Sequence, residues 1–235
     1  MHTNDPYRLV ISKLIELVSN GTLKPNEKVY SENRLANIVG IPRAQVREVY
    51  TALRVLGILY GHQGEGTYLR TNELREDTEL IYLMMLLEGS NTKDIMNMRL
   101  IIETGAAVLA AQNRTQKDIE EMRSHIDIME QSDSAEIIAE HDALLHYKIA
   151  ESSGNAIVKC ILQVVMGYIS RLTKEHWQQI LVKKQDAIKN TFFTQHEAIV
   201  NAIENKDTVL VREIMTQHLS GIANMFPDEN ESEAN

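Results

Sequence analysis

No proline occurs between Pro42 and Pro227, and that gap does most to decide what this chain can fold into. A stretch so long, rich in Ala, Leu, Ile, Met, Glu and Gln, predicts one helix after another. From about Asp77 onward the breaks fall near Gly89-Ser90-Asn91, Asn113–Thr115, Gln131–Ser134, Ser153-Gly154-Asn155, Val182–Gln185 and Asn205–Asp207. They delimit six or seven helices. The first seventy residues are built differently. They hold three of the four prolines and six of the eleven glycines, which predicts short elements joined by tight turns.

Asp5-Pro6 places a capping residue before a first-turn proline, and Asn20-Gly21 ends the helix they open, with Leu9, Leu14, Leu17 and Val18 at helical spacing. Ser31 opens a second helix through Val39, which Gly40 stops. A third runs from Pro42 to about Leu56, before Gly57. Two extended runs follow, around Ile58–His62 and Thr67–Arg70, with Gly64 and Gly66 between them. Three helices and a hairpin are the order of a winged helix-turn-helix. The expected architecture is therefore mostly α: a winged helix-turn-helix over residues 1–70, a polar linker over 71–78 and an all-α bundle over 79–225. An acidic tail over 226–235 has little to bury and is expected to be disordered.

At 235 residues the chain suits one large or two modest domains. Its net charge of −9 argues at first against nucleic acid, but the charge is unevenly placed. Residues 1–75 carry ten Lys and Arg against seven acids, so this part is +3 and the remainder −12. One part of the chain is suited to meet a polyanion. The single cysteine, Cys160, fits a reducing compartment. No apolar run approaches about 18 residues and no leader opens the chain, so the expectation is a cytoplasmic protein without a membrane span.

In the third helix Val46, Val49, Tyr50 and Leu53 share one face, while Arg43, Arg47 and Arg54 share an adjacent stripe. An apolar seat beside a cationic stripe suits a helix that enters the major groove, and it also suits a solvated surface helix. The surrounding sequence resembles the DNA-binding domain of the GntR family of bacterial repressors over Leu23 to Leu69. The resemblance is carried by Ser31-Glu32, Arg34-Leu35-Ala36, Val46-Arg47-Glu48, Leu53, Leu56-Gly57 and the wing Gly64-x-Gly66-Thr67. It implies that Arg34, Arg43 and Arg47, with Gln45 on the same helix, meet bases or phosphates of a double-stranded, pseudo-palindromic operator. It also implies that Gln63, Gly64 and Thr67 bring the wing to the minor groove. Two positions depart from the pattern. Pro42 stands where relatives have a capping Ser or Thr, and Glu65 with His62-Gln63 replaces the more usual wing arginine.

Three histidines of the second part sit on or beside apolar stripes. Asp142 and His146 are four apart, His196 aligns with Ile199, Val200 and Ile203, and His218 aligns with Ile214, Met215 and Ile222. By spacing alone each is a hydrogen-bonded core residue or a metal ligand. Segments such as MRLIIETGAAVLAAQ, EHDALLHYKIAESSGN, FFTQHEAIVNAIENKD and REIMTQHL resemble the FCD ligand-binding domain of the FadR subfamily. That resemblance implies that Asp142, His146, His196 and His218 hold one divalent metal, zinc by preference, with nickel or manganese as alternatives. It implies an effector site at Arg99 and Glu103, for which a plain i, i+4 salt bridge between the two is the competing reading, with Tyr168 and Arg171 as weaker lining residues.

The expectation is a homodimeric transcription regulator, a repressor, controlled by a small organic acid or sugar acid, and not an enzyme. The rival is a metal-dependent hydrolase or lyase bearing a DNA-binding-like module. His196-Glu197 lacks the second His of an H-E-x-x-H motif, and no G-x-S-x-G occurs.

Overall fold

The computed structural model describes residues 5–62, 66–70, 84–85, 87–89, 91–183 and 185–223. The expected wing tip at Gln63 and Gly64, the linker at 71–78 and the tail at 226–235 lie outside them. The chain divides into two compact units, Met1–Asp77 and Thr78–Asn235.

In the first unit α1 spans Pro6–Ser19, α2 Glu32–Val39 and α3 Arg43–Val55, followed by β1 (Leu59–His62) and β2 (Gly66–Leu69). The local chemistry sets the ends. Asp5 accepts from the Tyr7 amide to start α1, and Ser31 accepts from the Arg34 amide to start α2. Gly40, with φ +73°, supplies the left-handed residue that ends α2 and aims α3 away from it. α3 begins at Pro42 without a side-chain cap, as the missing hydroxyl implies. The strands pair antiparallel with Leu59 opposite Leu69 and Tyr60 opposite Tyr68. Residues 26–29 add a third, partial strand, since the Val29 amide donates to the Thr67 carbonyl and the Leu69 amide to the Glu27 carbonyl.

The core of this unit gathers Val10, Leu14 and Leu17 of α1, Leu35 of α2, and Val46, Val49, Tyr50 and Leu53 of α3, with Leu59 of the hairpin. The expected apolar face of α3 is thus the buried one. On α1 the buried set is Val10, Leu14 and Leu17, while Val18 is exposed. Tyr50 is buried to its hydroxyl, which donates to the Tyr30 carbonyl at 2.8 Å, so its polar tip is satisfied.

The second unit comprises α4 (Thr92–Asn113), α5 (Gln116–Glu130), α6 (Ala135–Ser152), α7 (Ala156–Val182), α8 (Asp186–Glu204) and α9 (Thr208–Ala223). Reciprocal caps open two of them, Asn91 with Asp94 and Thr115 with Asp118. Asn155 caps α7 after Gly154 turns the chain at φ +71°. α6 packs on α4, α5 and α7, and α9 packs on α4 and α8. Met122, Ile126, Leu145, Ile149, Ile199, Val200, Ile203, Val211, Met215 and Leu219 fill the space between them. Burying one such side chain stabilises by about 1.5–3 kcal/mol, so this core is what holds the polar centre within it. Among the described residues, no helix is long and apolar enough to cross a membrane.

Candidate metal centre and DNA-reading face

Asp142 and His146 lie one turn apart on α6, His196 on α8 and His218 on α9. Each is at most 3% exposed. One ligand atom from each of the four lies within 4.8 Å of all the others. His196 Nε2 is 3.1 Å from Asp142 Oδ1 and His146 Nε2 is 3.9 Å from the same oxygen. The rings of His196 and His218 are 4.5 Å apart, centre to centre. Helix packing thus brings together what spacing alone could not.

The surroundings orient the imidazoles. His218 Nδ1 is 3.0 Å from Gln195 Oε1, and the amide oxygen accepts from the ring N–H when Nδ1 carries the proton. That leaves His218 Nε2, which has no hydrogen-bond partner, as a lone pair in the centre. His146 Nδ1 lies 2.5 Å from Glu103 Oε2, off the line of a well-aligned hydrogen bond, and at that separation a proton on Nδ1 is favoured over two facing lone pairs. Glu103 Oε1 accepts from Arg99 Nε at 2.6 Å, while both terminal nitrogens of Arg99 lack partners. Arg99 is wholly buried.

The electrostatics prepare the centre for a cation. Burial pushes the Asp142 carboxyl up, but the contact with His196 and the neighbouring positive groups more than offset it and hold Asp142 well below the usual carboxylate range. Burial also opposes ionisation of Glu103, yet Arg99 and His146 hold it at about 2. Burial keeps His196 low against the upward pull of Asp142, and His218 is pushed well down by burial and by its two neighbouring imidazoles. An ionised Asp142 beside neutral His196 and His218 is a protonation state that suits metal ligation. The donor set fits a borderline divalent cation such as zinc. An unpartnered buried polar group costs about 1–3 kcal/mol, and His196 Nδ1 and Nε2 and His218 Nε2 have no hydrogen-bond partner among the described residues.

Beside Asp142 a cavity of about 20 Å³ is lined by Thr173, His176, Trp177, Phe192 and Ile222. Such a space holds roughly one water. The remaining effector residues named from sequence, Tyr168 and Arg171, lie on α7 with side chains outside the described residues. Arg99 and Glu103 form the salt bridge of the competing reading of Arg99, and both are buried beside the Asp142, His146, His196 and His218 cluster. Glu103 stands beside Arg99 in the effector site expected from sequence. Its contact with His146 has no sequence signal, and neither does the contact of Gln195 with His218.

On the first unit, Arg43, Gln45 and Arg47 lie on α3 and Arg34 on α2. Their circumstances differ. Arg34 stacks over the Tyr30 ring at 3.9 Å, and Arg43 Nε donates to Glu32 Oε2 at 2.9 Å. Gln45 is half-buried. Arg47 is exposed and makes no side-chain hydrogen bond or ion pair among the described residues. Arg54, third member of the arginine stripe, donates instead to the Thr67 hydroxyl at 2.9 Å and braces the wing.

A family model described as bacterial regulatory proteins, gntR family, matches residues 6–69, and one described as FCD domain matches residues 94–221. The HTH-type transcriptional regulator LutR of Bacillus subtilis (strain 168) is 28% identical over 211 residues, which are 89% of this chain and 96% of that protein. The Uxu operon transcriptional regulator of Escherichia coli (strain K12) is 24% identical over 221 residues, 92% of this chain and 85% of that protein. Among solved structures, Streptococcus agalactiae GntR superposes with a TM-score of 0.71 at 21% identity, covering 94% of this chain and 100% of that one. That likeness is one of fold.

Proposed function

The chain belongs to the GntR family of bacterial regulatory proteins and carries an FCD domain, and on that premise we propose that it is a metal-dependent, acid-responsive repressor. Regulation of transcription through a DNA-binding unit, without enzymatic activity, follows from the family itself. The finer reading has three parts. Asp142, His146, His196 and His218 hold one divalent ion, zinc by preference. Arg99 receives the carboxylate of a small organic acid, a hydroxy acid or a sugar acid. Two copies of the chain present their α3 helices to a pseudo-palindromic operator.

The observation that carries this reading is the pairing of a four-ligand cluster with a wholly buried arginine whose terminal nitrogens are unpartnered. Two parallel N–H donors at a fixed spacing suit a carboxylate, because a guanidinium and a carboxylate match in bidentate geometry. A divalent ion at the four ligands would add a positive centre with room for a further oxygen ligand.

The chain's own residues supply the switch. The space beside Asp142 is about 20 Å³, too small for any organic acid. Admitting one requires Thr173, His176 and Trp177 on α7, or Ile222 on α9, to move. A ligand that fits only the displaced arrangement shifts the population toward it, and differential affinity of about 1–3 kcal/mol suffices for regulation.

Metal analysis of the purified chain, followed by a thermal-shift screen of hydroxy acids and sugar acids with and without chelator, tests the reading. One ion per chain and a chelator-sensitive response to one of these acids are expected, with His196→Ala losing that response. A response that survives the chelator or His196→Ala would remove the metal from the mechanism.

A further inference from the structure

Glu103 touches both halves of the proposed site. From α4 its Oε1 accepts from Arg99 Nε at 2.6 Å, and its Oε2 lies 2.5 Å from His146 Nδ1. All three residues are at most 1% exposed, so no water competes for these contacts. The carboxylate occupies the Nε side of the guanidinium and leaves its two terminal nitrogens unpartnered. By drawing the His146 proton to Nδ1 it leaves Nε2 as the lone pair, directed toward Asp142 Oδ1 at 3.9 Å.

We propose that Glu103 is a positioning residue that couples metal affinity to carboxylate affinity, by fixing the His146 tautomer with one oxygen and the Arg99 rotation with the other. This rests on the reading of the centre as a metal site and of Arg99 as the acid's receptor. A carboxylate is needed because both partners donate. The amide of a glutamine at this position has one acceptor and one donor. Its NH₂ would face either the Arg99 Nε–H or the His146 Nδ1–H, so one of the two contacts must be given up. A Glu103 that served only to neutralise Arg99 would leave the metal ligands indifferent to that change.

The experiment uses the full chain, stripped of metal, and compares wild type, Glu103→Gln and Arg99→Lys. Zinc affinity is read by competition with a chromophoric chelator, and the ligand field by the visible spectrum of the cobalt-loaded protein. Glu103→Gln should lose about 10–100-fold in zinc affinity and show an altered cobalt spectrum, with helical circular dichroism unchanged. Arg99→Lys keeps the charge but removes the Nε donor, so it should weaken zinc several-fold although Arg99 ligates nothing. It also serves if Glu103→Gln fails to fold. In wild type, D,L-lactate used as a probe acid should raise zinc affinity, and in Glu103→Gln that gain should vanish.

Wild-type zinc binding with unchanged affinity and spectrum in either variant overturns the coupling and leaves the metal reading intact. A wild-type chain that binds neither zinc nor cobalt overturns both.

Discussion

The side chain of Lys28 fills the space that a Cβ on Gly66 would occupy, and Gly66 itself sits at φ +106°. The glycine at the start of β2 thus meets one firm demand, a backbone conformation that L side chains rarely adopt, while the flexible end of Lys28 beside it can swing aside. Gly66→Ala is expected to destabilise the first unit by about 1–3 kcal/mol. The lone tryptophan, Trp177, lies in the second unit, so its fluorescence transition should stay in place. A calorimetric scan should show an earlier transition. An unchanged scan would mean that the wing adjusts without cost.

Arg47 is an exposed arginine of α3 whose side chain makes no hydrogen bond or ion pair among the described residues. Arg47→Ala should cost about 1–3 kcal/mol in DNA affinity, roughly 5- to 150-fold, with the melting behaviour preserved. Fluorescence anisotropy on the DNA upstream of the chain's own gene, at near-physiological salt, measures this. Arg43→Ala should cost less, because in the free unit its guanidinium is already paired with Glu32 at 2.9 Å and so has less charge to give to the DNA. The reverse order of the two losses would show that Arg43 leaves Glu32 on binding.

Trp177 lines the same small cavity as Asp142 and packs against Phe192 with ring centres 5.4 Å apart. It is therefore a built-in reporter of the centre. Adding cobalt or copper to the metal-free chain should quench its emission, and zinc at about 100 times its Kd should stabilise the second unit by about 2.7 kcal/mol. His218→Ala should abolish both effects. Quenching that survives in that variant would place the ion elsewhere.

Lys148 gathers three carboxylates, Asp118 at 2.8 Å, Glu121 at 2.5 Å and Glu151 at 3.0 Å, and so ties α5 to α6. Burial opposes ionisation of Asp118, but Lys148 and the Thr115 cap outweigh it and hold the carboxyl at about 2, against an ordinary 3.8. A depressed folded value means the stabilisation is full above the ordinary value and fades as the pH falls from near 4 toward 2. Asp118→Asn keeps a cap acceptor and removes the charge. Its urea midpoint should lie below that of wild type at pH 7, and the gap should narrow at pH 3. A gap that is constant with pH would assign the loss to the cap rather than to Lys148.

Much of this architecture is legible in local sequence because it is local in origin. Asp5-Pro6, Ser31, Gly40, Asn155 and the Gly57-bounded third helix act within one turn, and each falls where its chemistry requires. The apolar face of Val46, Val49, Tyr50 and Leu53 is likewise fixed by helical period. The centre is different. Spacing within α6 pairs Asp142 with His146, but their approach to His196 and His218 depends on how α6, α8 and α9 pack, which no local rule reports. The resemblance to a known domain supplied that grouping. It supplied neither Gln195 nor the second contact of Glu103, since an amide or carboxylate supporting a ligand looks in sequence like any polar residue on a helix. Arg54 lies on the same cationic stripe as Arg43 and Arg47, and its hydrogen bond to the Thr67 hydroxyl is another contact that helical spacing alone does not report.

The placement of His218 on α9, after ligands on α6 and α8, has a consequence for how the protein is made. During synthesis Asp142, His146 and His196 emerge from the ribosome before the helix that completes their set. A nascent chain can therefore offer an ion only a partial grip until residue 218 is out and α9 has docked against α4 and α8. On the proposed metal reading, full-strength capture of the ion would mark a finished domain, and truncated or stalled products would be weak competitors for it.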